Sequence, residues 1–217
     1  MSYRDHCFQR LLALADREIQ EFPPHLLPQD CRPAAVLIPL WPTADGGVEI
    51  AFTKRTDFLP THRGQVSFPG GRRHPRDESL ERTALREADE ELGIPASSIT
   101  VMGRLDDAWS FQGHHVVPYV GWLEGRPDIR PDPGEVAEVI IADLITLGHP
   151  ETARRHSLER DGRTHHSHAF EWEGGYVWGL TADILLELLL WFDGRESNRG
   201  EFRLARMQEQ LGVRSEE

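Results

Sequence analysis

Apolar and polar positions alternate along this chain with two different periods. Residues 34–42, "AAVLIPLWP", form an almost continuous apolar run, the pattern of a buried strand despite the proline. Residues 46–55, "GGVEIAFTKR", alternate after a glycine turn, so the two runs are expected to pair as a hairpin. Further strands are predicted at 99–107, 114–123, 136–144, 165–172 and 176–179. Helical spacing appears at 5–21, with Asp5 as N-cap, at 78–92, with Asp77 as N-cap and Gly93 as stop, at 180–192 and, more weakly, at 201–212. Residues 56–76 carry neither period but hold Pro60, Gly64, Pro69, Gly70, Gly71 and Pro75. This reads as a structured loop, and long loops in compact domains are usually functional. Strands interleaved with helices in this order predict an α+β fold, a mixed β-sheet covered by helices as an α/β/α sandwich.

Length and composition set the bounds. A chain of 217 residues with 39% hydrophobic and 28% charged residues fits one domain of residues 31–195, preceded by a helical segment at 1–30 and followed by a helix and tail at 196–217. The run "ILLELLLWF" (184–192) is too short and too acidic to span a membrane, and "MSYRDHCFQR" lacks the apolar core of a signal peptide. Cys7 and Cys31 give neither a disulfide framework nor a zinc spacing, which points to a reducing cytoplasm. A net charge of -12 argues against a nucleic-acid partner, yet a phosphorylated small molecule can be held where divalent metals reverse the local field. The leucine-rich stretch at 182–192 is either core or the interface of a homodimer.

One stretch resists a purely structural account. "READEELG", Arg86 to Gly93, places Glu87, Asp89, Glu90 and Glu91 within five positions just before a helix-ending glycine. On a helical wheel with Glu87 at 0°, Glu90 falls at about 300° and Glu91 at about 40°, while Ala84, Leu85, Ala88 and Leu92 occupy a separate apolar arc. Acids late in a helix oppose its dipole, so helix stability would not select them. A solvated acidic face is the bland reading. The alternative is a hard-oxygen site for Mg²⁺ or Mn²⁺, with no soft ligands to favour zinc. The upstream "FPGG" supports the second, because glycines let backbone groups approach a metal or phosphate.

Read as one unit, "GGRRHPRDESLERTALREADEELGI" (70–94) resembles the signature of the Nudix hydrolases. Gly71 is followed by five residues and then Asp77 where that signature has Glu; eight residues instead of seven precede Arg86-Glu87; Ala88, Glu90-Glu91, Gly93 and Ile94 follow in order. These departures resemble the coenzyme A-hydrolysing subgroup, which also carries an upstream motif. Here "FTKRTDFLPTHRGQVSFPGG" (52–71) matches that motif at Thr53, Arg55, Leu59, His62, Gly64, Gln65, Val66 and Phe68 to Gly71. Thr56 stands for its Ser, Pro60 for its Arg, and His74 where Asp is common.

The resemblance implies Mg²⁺ or Mn²⁺ held by Glu87 and Glu91 with Glu90 and the Gly71 carbonyl in support, and Arg86 holding loop to helix. It implies hydrolysis of a pyrophosphate within a small nucleotide-type substrate. Arg55, His62, Arg63 and Gln65 are candidates for substrate contact; Glu135 and Glu138 are candidates for an extra ligand or general base. Coenzyme A or its thioesters is the first substrate reading, ADP-ribose, nucleotide sugars or dinucleotides the second, and a non-catalytic binding module the third. His165, His166 and His168 read as ordinary strand histidines, and Trp172, Tyr176 and Trp178 as core.

Overall fold

The computed structural model describes residues 2–56, 64–160, 162–195 and 197–211. In chain order the elements are α1 (Tyr3–Leu12), β1 (Arg32–Pro42), β2 (Val48–Arg55), β3 (Val66–Ser67), β4 (Gly70–Arg72), α2 (Leu80–Leu92), β5 (Thr100–Arg104), β6 (Ala108–Trp109), β7 (His114–Trp122), β8 (Val136–Asp143), α3 (Leu144–Gly148), β9 (Ala153–Arg160), β10 (Arg163–Trp172), β11 (Gly175–Trp178), α4 (Gly179–Phe192) and α5 (Arg199–Leu211). The main sheet runs β3-β2-β1-β7-β5, with β4 on β1, β6 on β7 and β8 on β2; β11-β10-β9 form a second, antiparallel sheet. β1 pairs antiparallel with β2 and parallel with β7, so the main sheet is mixed as expected.

Strand alternation divides the core into two layers. On β1 and β2, Ala35, Leu37, Trp41 and Ala51 meet Ala84, Leu85, Ala88 and Leu92 of α2 on one side. Ile38, Leu40, Ile50 and Phe52 meet Cys7 and Leu11 of α1 and Ile184, Leu185 and Leu188 of α4 on the other. The result is the expected α/β/α sandwich. It also accounts for the unbroken apolar run of β1, whose two faces are both covered. The leucine-rich α4 is buried within the chain's own core.

Several sequence expectations need correction. The first helix ends at Leu12, and Ser2 caps it; Asp5 answers from the third position of a capping box. Ser79, not Asp77, caps α2, its hydroxyl accepting from the Arg82 N–H at 3.1 Å. Asp77 has another partner, described below. The predicted strand at 99–107 ends at Arg104 as β5, with β6 a separate strand beyond it, and β9 is not foreseen because "ARRHSLER" carries little apolar alternation. It forms by pairing along the length of β10. Trp172 packs near Phe52, but Tyr176 is exposed and Trp178 stacks on His156, so this trio is not simply core.

α5 is fixed to α4 by buried charge. Arg203 donates from Nε to Asp183 at 2.7 Å and from Nη1 to Glu187 at 2.6 Å, and Arg17 reaches Glu187 and Asp106 at 2.8 and 2.9 Å. A buried ion pair gives little net stability, yet removing one partner strands the other. Arg203→Ala should therefore lower the unfolding free energy by about 3 kcal/mol. Urea denaturation at neutral pH measures this; an unchanged midpoint would mean that the network is not formed in solution.

Candidate active site

The site is built from the bottom of α2 upward. Gly93 ends the helix in the left-handed conformation (φ 66°), its N–H bonding to Asp89 O at 2.9 Å. The apolar face of α2 pins it against β1 and β2, and this fixes which way the acidic residues point. Glu87 and Glu91, one turn apart, face the sheet edge where β4 crosses. Their side chains are 12% and 3% exposed, against 59% for Glu90.

The glycines are needed for close approach. A methyl group on Gly71 would overlap the Glu87 carboxylate, and one on Gly70 would overlap the β1 backbone at Ala35 and Val36. β4 can therefore lie flat against β1 only without a side chain at Gly70, and a side chain at Gly71 would push the Glu87 carboxylate from its place. Glu91 accepts a hydrogen bond from the Gly70 backbone and, at 3.3 Å, from the Thr53 hydroxyl. The Arg55 guanidinium stands 3.6 Å from its other oxygen. Arg55 Nε is buried without a hydrogen-bond partner among the described residues.

Arg86 ties loop to helix. Its Nε and Nη2 reach Asp77 Oδ1 and Oδ2 at 3.1 and 3.0 Å, a two-point clamp, and Nη2 also donates to the Arg72 carbonyl at 3.2 Å. Nη1 stands 2.7 Å from both Glu87 and Glu90. The Thr83 hydroxyl at 2.9 Å and the His74 N–H at 2.8 Å complete the set around Asp77. Arg86 holds the Asp77 carboxyl well below the usual carboxylate range. Asp77 stands two residues before the Ser79 cap, and its oxygens serve Arg86, the Thr83 hydroxyl and the His74 N–H instead.

The electrostatics run the other way for the two inner acids. Burial pushes Glu91 up to about 8, with the neighbouring Glu87 and Glu135 raising it further and Arg55 opposing. Burial also raises Glu87, which Arg86 only partly offsets. Two desolvated carboxylates are thus held together with too little positive charge to satisfy them. The donors are hard oxygens, and a glycine cradle that no side chain could occupy adjoins them. This set fits Mg²⁺ or Mn²⁺.

The remaining predicted residues divide. Glu90 shares the helix face but turns outward to Arg86, so no group of three acids, histidines or cysteines is already gathered for a metal among the described residues. Glu135 is exposed, and its charge is felt at both Glu87 and Glu91. Glu138 pairs with Lys54 at 3.1 Å across β2–β8. Lys54 alternates with Thr53, so Glu138 lies on the sheet face opposite Glu91. Gln65 accepts the Arg55 N–H at 3.1 Å through its carbonyl. His62 and Arg63 lie outside the described residues. Sequence reasoning passed over Thr53 as a contact to Glu91 and Asp77 as the anchor of Arg86. A lone hydroxyl in the apolar part of β2, and an acid at the signature's first Glu position, were the available signals.

Comparison with known proteins gives the family. The NUDIX domain model matches residues 32–161. The uncharacterized Nudix hydrolases NudL of Yersinia pestis (strain Pestoides F) and Yersinia pseudotuberculosis serotype O:1b (strain IP 31758) are each 40% identical over 162 residues, covering 72% of this chain and 78% of theirs. Among solved structures, a Nudix hydrolase from Alicyclobacillus acidocaldarius aligns with TM-score 0.45 and 18% identity over 55% of this chain and 82% of that one. With the model spanning more than half of the chain and relatives this similar over most of it, the chain belongs to the Nudix hydrolase family and is a pyrophosphohydrolase.

Proposed function

We propose that this Nudix hydrolase cleaves the pyrophosphate of coenzyme A or its thioesters, giving 3′,5′-ADP and 4′-phosphopantetheine or its acyl form, with Mg²⁺ or Mn²⁺. The observation that carries this reading is the run from Phe52 to Gly71, which matches the upstream motif of the coenzyme A subgroup and has Arg55 beside Glu91 at one end and Gly71 against Glu87 at the other. ADP-ribose or a nucleotide sugar is the second reading, favoured by Pro60 where the motif has Arg.

In this reading Glu87 and Glu91, with Glu90 and the Gly71 carbonyl, hold the cation. Bound there, a divalent ion neutralises the pyrophosphate and lowers the pKa of the attacking water. Arg86 is a positioning residue: its clamp on Asp77 and contact with Arg72 hold the glycine strand against the helix. Arg55, whose guanidinium stands 3.6 Å from Glu91, is the residue assigned in this reading to donate to a phosphate oxygen. Glu135 is the acid outside the helix that could accept the proton of the attacking water, and Glu138, facing away, is the weaker candidate. Water attacks phosphorus in line, and the bridging P–O bond breaks.

Glu91→Gln keeps size and removes a charge, so turnover should fall by roughly 10²-fold or more while the fold survives. Asp89→Asn, off the site's face, should be mild. Steady-state kinetics on both variants decide this; equal losses would end the helix-face reading.

The raised Glu91 carboxyl also has a consequence for stability. Between its unfolded value of 4.5 and its folded value of about 8, the folded state holds a proton that the unfolded state lacks. Stability of the metal-free protein should thus fall as pH rises through that window. Glu91→Gln should raise Tm in chelator at about pH 9 and lose that advantage toward pH 5. Calorimetry across this range would contradict the account if the variant were equally destabilised throughout.

For substrate choice, kcat/KM on coenzyme A, dephospho-coenzyme A and ADP-ribose is the experiment. A modest preference for coenzyme A is expected, widened by Pro60→Arg through a new contact to the 3′-phosphate. Fastest cleavage of ADP-ribose, with no discrimination by the 3′-phosphate in either protein, would replace the coenzyme A reading by the second one.

A further inference from the structure

The histidines of β10 lead to a second site. A cavity of about 270 Å³ lies between β9–β10 and the α4–α5 pair, lined by Arg155, His166, Ser167, His168 and Arg206 among others. None of its lining residues belongs to β2, β4 or α2, so it is separate from the catalytic carboxylates. The chain carries a net charge of -12, yet this cavity concentrates arginine and histidine.

Two of these charges are not used up by the described residues. Arg155 has no acidic partner among them. Arg206 rests its guanidinium 4.7 Å from the centre of the Phe111 ring and pairs with no carboxylate among the described residues. Asp183, the acid on the cavity wall, is engaged by Arg203 at 2.7 Å and Arg199 at 3.0 Å. Arg154 is held by Glu171 at 3.0 Å and is the arginine already spent. His166 uses Nδ1 on the Ser157 hydroxyl at 2.9 Å, and His168 turns Nδ1 to Asp183 and Arg199, which directs the Nε2 edges of both rings away from these contacts.

The wall also includes Gly179, the first residue of α4, whose N-terminus has no side-chain cap and carries the positive end of the helix dipole. Ligand sites of drug-like size run from about 300 Å³ upward, so this one suits a small group.

We propose that this cavity is an anion site for a phosphate group, either free or at the end of a phosphomonoester. Arg155 and Arg206 supply charge, the edges of His166 and His168 supply directed hydrogen bonds, and Phe202 supplies an apolar wall for whatever carries the phosphate. The test uses the full chain with metal removed by chelator, so that the catalytic carboxylates repel the probe. Isothermal titration with inorganic phosphate, and separately with AMP, should give saturable binding in the millimolar range or tighter. Arg155→Ala and Arg206→Ala should each weaken it by roughly tenfold. Arg155 is exposed, so its replacement leaves the fold intact, and circular dichroism verifies this for both variants. Binding of AMP with the same dependence on these residues identifies a phosphomonoester as the occupant, and binding of phosphate alone identifies the free ion. No saturable binding of either probe, or binding that both alanine variants retain in full, would overturn the proposal.

Discussion

The central constraint is the burial of two like charges one helical turn apart. Glu87 and Glu91 are pressed between α2 and the glycine strand β4, where water cannot screen them. Nothing in packing alone favours this. The apolar face of α2 could bury just as well with neutral residues beside it. Much of the surrounding structure works to make the arrangement tolerable: Gly70 and Thr53 donate to Glu91, Arg55 stands near it, and Arg86 holds Glu87 from the far side. The raised carboxyl of Glu91 measures what these contacts fail to supply. A divalent cation is the natural complement of that deficit.

The same constraint explains the rigidity around the site. Arg86 is on the helix and Asp77 is in the connection that leads to it, so their clamp fixes the distance between β4 and α2. The Arg72 carbonyl ties the end of β4 to the same guanidinium. Lys could not make these three contacts at once, because a point charge lacks the planar fork. Asp77 and Arg86 thus set the geometry in which Gly71 touches Glu87, and the crowded acids follow from it.

Much of this was legible in the sequence. The burial of β1, the hairpin with β2 and the apolar face of α2 all follow from periodicity, because each element meets the core with a regular face. The convergence of Glu87 and Glu91 also followed from the wheel. What was not legible depends on side-chain competition or on pairing with a distant strand. Asp77 looked like a helix cap because an acid before a helix usually is one; Arg86 claims it instead. Glu90 lies on the predicted face but turns to Arg86, a choice of rotamer that spacing cannot reveal. β9 has no pattern of its own and is a strand only because β10 lies beside it. His165, His166 and His168 read as ordinary strand histidines, and only the packing of α4 and α5 against β10 showed His166 and His168 lining a cavity.

In the reading proposed above, Glu87 and Glu91 form a cation site that the missing side chain at Gly71 keeps in shape. An equilibrium titration with Mn²⁺, followed by the loss of the free-ion signal in electron paramagnetic resonance, is the decisive measurement. Saturable binding to the native protein is expected, with a large loss of affinity in both Glu87→Gln and Gly71→Ala, the second although it removes no ligand side chain. Native-like Mn²⁺ affinity in both variants would rule the site out.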